Sequence, residues 1–185
     1  MKRILLTLLV IAVCISGIAA SPLLQIGGYA AYNSNVLTID EDEALSMNSF
    51  TIGPELRLNL FCLQLDVPAT IGFTTKGNFT AGLLPSLNIN ASITDAVSIA
   101  IGMGLQMEVS KTDDGWYING TDIDTFSNTI MGMTPFYRLG LTVNVKSISI
   151  GLSLSAQSEG SLDSLDLTPD LDQIKGSVSV LFNFF

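Results

Sequence analysis

The sequence has no histidine, two cysteines, and only eight lysines and arginines against 17 acidic residues. Without histidine the commonest general base, any Ser-His-Asp triad and any imidazole metal site are missing. Neither an enzyme nor a cofactor is expected, and no carboxylate pair stands out as an acid and base. One cysteine, Cys14, falls in an N-terminal leader, so the exported fold is expected to do without a disulfide framework. A net charge of −9 disfavours nucleic acid and other polyanions as partners. Beyond the leader no 18 consecutive residues are all apolar, which excludes a transmembrane helix although 48% of the chain is hydrophobic. A 3.6-residue period is also absent, which leaves strands.

The leader reads "MKRILLTLLVIAVCISGIAASP". Lys2 and Arg3 precede an apolar run from Ile4 to Val13, and small residues precede Ser21, the pattern of a cleaved secretory signal over residues 1–20. The apolar run is too short for a retained anchor. Val13 stands where a lipoprotein acceptor at Cys14 would want a small residue. The mature domain is therefore expected to span 21–185.

What the mature chain does have is alternation. Phe50, Ile52, Leu56, Leu58 and Leu60 are apolar at even positions, and after "FC" the parity flips to Leu63, Leu65, Val67, Ala69, Ile71 and Phe73. The same period of two runs over 83–93, 97–109, 131–145 and 148–154, with a weaker strand at 23–32 and a last one at 175–185. Eight strands result. Tight turns at "FC" (61–62), "TDA" (94–96) and "KS" (146–147) alternate with the segments 33–49, 111–128 and 157–173 and a short one near Lys76. That is the layout of a transmembrane barrel with short periplasmic turns and longer extracellular loops, and a closed barrel satisfies every backbone group in lipid.

A soluble lipocalin-type barrel would also have eight strands, but its outer face would need many Lys and Glu. Here the polar face is Ser, Gly, Thr, Asn and Gln with isolated charges, which suits a narrow, hydrogen-bonded bore. The fold expected is an eight-stranded antiparallel up-and-down transmembrane barrel. The chain ends "GSVSVLFNFF", with Val178, Val180, Phe182 and Phe184 on one face. In this it resembles the small bacterial outer-membrane β-barrels, the OmpA/OmpX-type and porin-like families. The resemblance implies an outer-membrane protein with both termini periplasmic. It also makes Val178, Val180, Phe182, Phe184 and Phe185 an insertion signal read by the outer-membrane assembly machinery. Phe185 is out of phase with Phe184, a departure that a bulge or an extra terminal residue would reconcile.

Three segments carry a proline at their start, "GPELRLNL", "LPSLNINA" and "TPFYRLGL", and "TPDLDQIKG" follows less cleanly. Pro54, Pro85 and Pro135 are expected at bulges or irregular strand ends, because proline cannot donate to a ladder. Arg57, Asn88 and Arg138 then occupy equivalent inward positions. If "FC" is a two-residue turn, Arg57 also faces Asp66 across the sheet, a favourable opposed pair. Glu55, Arg57, Asp66, Glu108 and Arg138 are therefore expected to form a polar network filling the bore, with a solute-selecting constriction as the functional alternative.

All but four of the acidic residues (Glu55, Asp66, Asp95 and Glu108) fall in the three long loops. That anionic rim suits solvated loops, a surface ligand or a divalent cation, although no calcium-loop spacing is present. Trp116 and Tyr117 are expected to be interface or loop-packing aromatics. The leading function is structural or surface interaction through loops 33–49, 111–128 and 157–173. The alternatives are a porin-like conduit for small or hydrophobic solutes and, more remotely, a soluble ligand-binding barrel.

Overall fold

The computed structural model describes residues 22–37, 49–73, 78–112, 115–119, 121–122, 132–162, 164 and 166–184. The leader 1–20, Asp40–Glu43, Lys76 and Phe185 lie outside them. Alternating residues form strands β1 (Leu24–Tyr32), β2 (Phe50–Leu60), β3 (Leu63–Phe73), β4 (Phe79–Leu83), β5 (Ser86–Ser92) and β6 (Val97–Thr112). Then follow β7 (Gly115–Ile118), β8 (Thr121–Asp122), β9 (Thr134–Val145), β10 (Ile148–Ser158) and β11 (Pro169–Phe184).

Every neighbour pairs antiparallel and β11 returns to β1, from Leu24↔Phe184 to Tyr32↔Gly176, so the sheet closes. β4 and β5 lie end to end between β3 and β6, which makes one stave of the pair and eight staves in the ring. Closure removes the unpaired edges that an open sheet would present. Among the described residues no helix is long and apolar enough to cross a membrane.

The two faces are sorted by the period of two. Ile101 is 60% exposed while Ala100 beside it is 6% exposed, and Leu56 at 38% flanks Arg57 at 3%. The apolar residues stand outside and the polar ones inside, the reverse of a soluble ligand-binding barrel and the arrangement suited to lipid. Val178, Val180, Phe182 and Phe184, the residues expected to serve as an insertion signal, are all exposed on the outer face. Their pairing with β1 keeps one register through Phe184, so no bulge intervenes before the chain leaves the described residues.

Several boundaries differ from the sequence reading. The fourth stave starts at Phe79 and is interrupted at Leu84–Pro85, where Leu84 N donates to Pro68 O (3.0 Å) and Leu105 N to Pro85 O (3.0 Å). Proline has no N–H to continue the ladder. β6 runs on to Thr112 and folds back as β7, inside the segment expected to be loop. β11 likewise begins at Pro169, and between Ala156↔Ile174 and Ser158↔Pro169 its register to β10 shifts. Extra strand residues near the loop rim mix polar side chains with apolar ones such as Trp116, Ile118 and Leu171, and carry no regular alternation to announce them.

Phe61 and Lys146, the first residues of the two tightest turns, have φ of 58° and 54°. Gly27 is needed where β1 and β11 approach closely, since a Cβ there would lie 2.0 Å from Val180 O. Gly53 does the same against Ala69 O at 1.8 Å, next to Pro54, where the β2–β3 pairing skips from Ile52↔Ile71 to Glu55↔Pro68. Such inward glycines let strands bend sharply around a small bore.

Candidate functional site: the barrel interior

The interior divides into two halves along the barrel axis. Midway, the β2–β3 turn sets the register that puts Arg57 opposite Asp66. Arg57 Nε donates to Asp66 Oδ1 at 2.7 Å and its Nη2 to Glu55 Oε1 at 3.0 Å. From the far wall, Arg138 on β9 reaches Asp66 Oδ2 at 3.3 Å and Glu55 Oε1 at 3.6 Å. Two guanidinium groups and two carboxylates thus alternate in a neutral quartet.

The quartet is buried, with Asp66 at 0%, Glu55 at 1%, Arg57 at 3% and Arg138 at 6% exposure. Charges removed from water need partners for their remaining hydrogen-bonding capacity, and these are supplied. Gln64 Nε2 and Asn88 Nδ2 donate to Asp66 Oδ2 at 2.8 and 3.1 Å, Arg57 Nη1 to Thr142 Oγ1 at 3.0 Å, and Ser179 Oγ to Glu55. The three residues placed equivalently after a proline, Arg57, Asn88 and Arg138, therefore converge on one carboxylate. Pro85 interrupts a stave, Pro54 adjoins a gap in the ladder, and Pro135 is the second residue of its strand.

On the tight-turn side the interior is an amide and hydroxyl network. Gln25 Nε2 donates to Ser149 Oγ (2.6 Å) and Asn183 Oδ1 (2.8 Å), and Asn59 Nδ2 to Gln25 Oε1 (3.2 Å). Beside the quartet the free space is about 10 Å³, bordered by Arg57, Asp66, Arg138 and Thr142. A single water needs at least roughly that much.

Glu108 does not join the quartet. The four ion pairs among the described residues all link Glu55, Arg57, Asp66 and Arg138. Glu108 lies farther along β6, opposite Gly82 of β4, because pairing along the bore fixes depth as well as face. It lines a cavity of about 240 Å³ in the loop half, with Gln106, Gln157, Lys175 and several threonines. Buried Tyr29 and Phe136 border that cavity, and each sits two residues along its strand from the level of the quartet. Phe136 packs over Gly104, where a Cβ would come within 2.5 Å of the ring. Sequence alternation gave no sign of this cavity, since its lining residues share the small polar character of the rest of the bore.

The outer rim carries a further cluster. Trp116, half exposed on β7, packs edge-on against Phe79 at 5.5 Å with Lys111 Nζ 5.9 Å from its ring, an aromatic grouping suited to a membrane interface. Of the acidic loop residues, Glu159, Asp166, Asp170 and Asp172 are among those described, and the Asp166 carboxylate is held below the usual range by a backbone hydrogen bond from Thr168 (3.0 Å). Among the described residues no three carboxylate or thiol side chains gather as a metal site.

No family model matches the chain, and no curated protein matches it in sequence. Solved structures do. The N-terminal β-barrel domain of OprF from Pseudomonas aeruginosa aligns with a TM-score of 0.52 at 11% identity, over 87% of this chain and 96% of that domain. OprG of the same organism gives 0.48 at 10% identity, over 90% and 99% of the two chains. Neisserial surface protein A gives 0.47 at 12%, over 87% and 96%. The last two scores add no argument. The OprF alignment shows fold alone, and with the closed ring and its apolar outer face it establishes an eight-stranded β-barrel of the small outer-membrane type.

Proposed function

We propose that this chain is a structural and surface-interaction protein of the outer membrane. Its tight turns and both termini face the periplasm, and its acidic loops 33–49, 111–128 and 157–173 face outward. The observation that carries the reading is the neutral quartet, which fills the bore beside only about 10 Å³ of free space. A bore closed in this way leaves the rim as the working surface, and the loops there concentrate carboxylates available to a surface ligand or a divalent cation. The role is non-catalytic, in keeping with a chain that has no histidine. The outward terminal face of β11 suits recognition by the outer-membrane assembly machinery.

A conduit is the second reading, and one observation favours it. An apolar groove of about 690 Å³ on the outer wall, around Ala30, Gly176 and Val178, lies behind the loop-half cavity, and Ala31 lines both. Planar-bilayer recording of the folded, heat-modifiable protein tests the choice. Silence is expected; discrete openings would overturn the plugged-barrel reading and move the function to the conduit.

A further inference from the structure

The loop-half cavity holds one acid and one base that do not meet. The Lys175 side chain is partly buried in its wall and makes no hydrogen bond or ion pair among the described residues, and the Glu108 carboxylate lies near enough to act on it electrostatically. Glu108 is not idle: Gln106 Nε2 donates to its Oε2 at 3.2 Å, and Gln157 in turn donates to Gln106. That amide chain fixes the carboxylate on its wall. Its backbone is fixed as well, with Glu108 N donating to Asn119 Oδ1 at 2.8 Å and Asn119 N to Glu108 O at 2.8 Å.

Two opposite charges held apart in one cavity match a solute that carries both charges itself. Hydroxyl and amide groups of Asn33, Thr51, Thr70, Thr80 and Ser155 share the remaining lining with apolar Ala31, Leu84 and Phe136. About 240 Å³ is room for several waters or one small solute, the scale of a free amino acid. Tyr29 and Phe136 and then the quartet bound the cavity toward the tight-turn half, so it is a vestibule of the loop half.

We propose that this cavity is a binding site for a small zwitterion, its ammonium directed to Glu108 and its carboxylate to Lys175. The proposal goes beyond the loop reading and does not depend on what the loops bind. It differs from the interior quartet in kind: there charge is internally neutralised, and here it is left for a ligand.

The test uses the full barrel folded in a non-ionic maltoside detergent, so that no detergent headgroup competes. L-glutamine is titrated while backbone amide resonances are followed by NMR. Saturable shifts are expected at cavity residues such as Thr80, Gly82 and Ser155, with none at Asn88 or Gln25. N-acetyl-glutamine, which lacks the ammonium, and glutaminamide, which lacks the carboxylate, should each bind about tenfold more weakly, the loss of one charged hydrogen bond. Glu108→Gln and Lys175→Gln should each weaken L-glutamine to the same extent while keeping the heat-dependent gel mobility of the parent. The blocked analogues read out the charge requirement in the unmodified protein, so a variant that fails to fold leaves the test intact. Absence of saturable shifts, or equal affinity for all three solutes, would overturn the proposal.

Discussion

The two halves of the bore are built from the same residue types and yet do opposite things with charge. In the tight-turn half and at mid-depth, acids and bases lie within hydrogen-bonding distance, and Asp66 alone accepts from Arg57, Gln64 and Asn88 and pairs with Arg138. In the loop half, Glu108 and Lys175 face a cavity of about 240 Å³ and stay apart. The difference lies in what surrounds each charge. Around the quartet, Gln64, Asn88, Thr142 and Ser179 add hydrogen bonds to the ion pairs; Lys175 faces the open cavity instead. Burial with partners makes a charge structural, and partial burial without a partner leaves it available.

The largest effect should come from breaking the closed half. Asp66→Leu leaves Arg57 and Arg138 buried with one carboxylate between them, and uncompensated buried charge costs about 3–5 kcal/mol. Thermal unfolding in detergent, followed by the heat-dependent gel shift, should show a midpoint lowered by many degrees. An unchanged midpoint would mean that the quartet contributes nothing to holding the barrel.

That network was partly legible in the sequence, and the reason is geometric. A two-residue turn at Phe61–Cys62 fixes the sum of paired residue numbers, so Arg57 opposite Asp66 follows from counting. The proline spacing likewise put Arg57, Asn88 and Arg138 at equivalent inward positions. Glu108 was misplaced because alternation reports face and not depth. Its depth depends on β4 and on the break at Leu84–Pro85, which a pattern reading merged into one strand beginning at Leu83. The β6–β7 extension and the early start of β11 were hidden for a related reason: strands that rise past the apolar belt have no lipid-facing series to mark them. The cavity itself is a property of how far apart walls stand, and no single strand encodes that.

A middle-sized effect sharpens the comparison on one strand. Gly27 and Gly28 are neighbours, yet a Cβ at Gly27 would collide with the β11 backbone while one at Gly28 meets nothing within 4 Å. Gly27→Ala should destabilise by about 1–3 kcal/mol, the cost of overpacking, and Gly28→Ala should stay within about 0.5 kcal/mol of the parent. Urea unfolding of the two variants side by side distinguishes close approach at Gly27 from a general intolerance of side chains in β1. Equal losses would place the constraint on strand conformation instead.

The smallest stability effect is expected where the charges are unpaired. Glu108→Gln and Lys175→Gln each remove a half-exposed charge with no ion-pair partner, so each should shift unfolding by no more than about 0.5 kcal/mol. The contrast with Asp66→Leu is then several-fold for residues of the same formal charge in the same bore. If either substitution were as damaging as Asp66→Leu, the loop half would be load-carrying structure like the rest of the interior. A near-neutral result, together with weakened L-glutamine binding, separates the two roles: a charge can be removed from the vestibule without loosening the barrel only if the fold never used it.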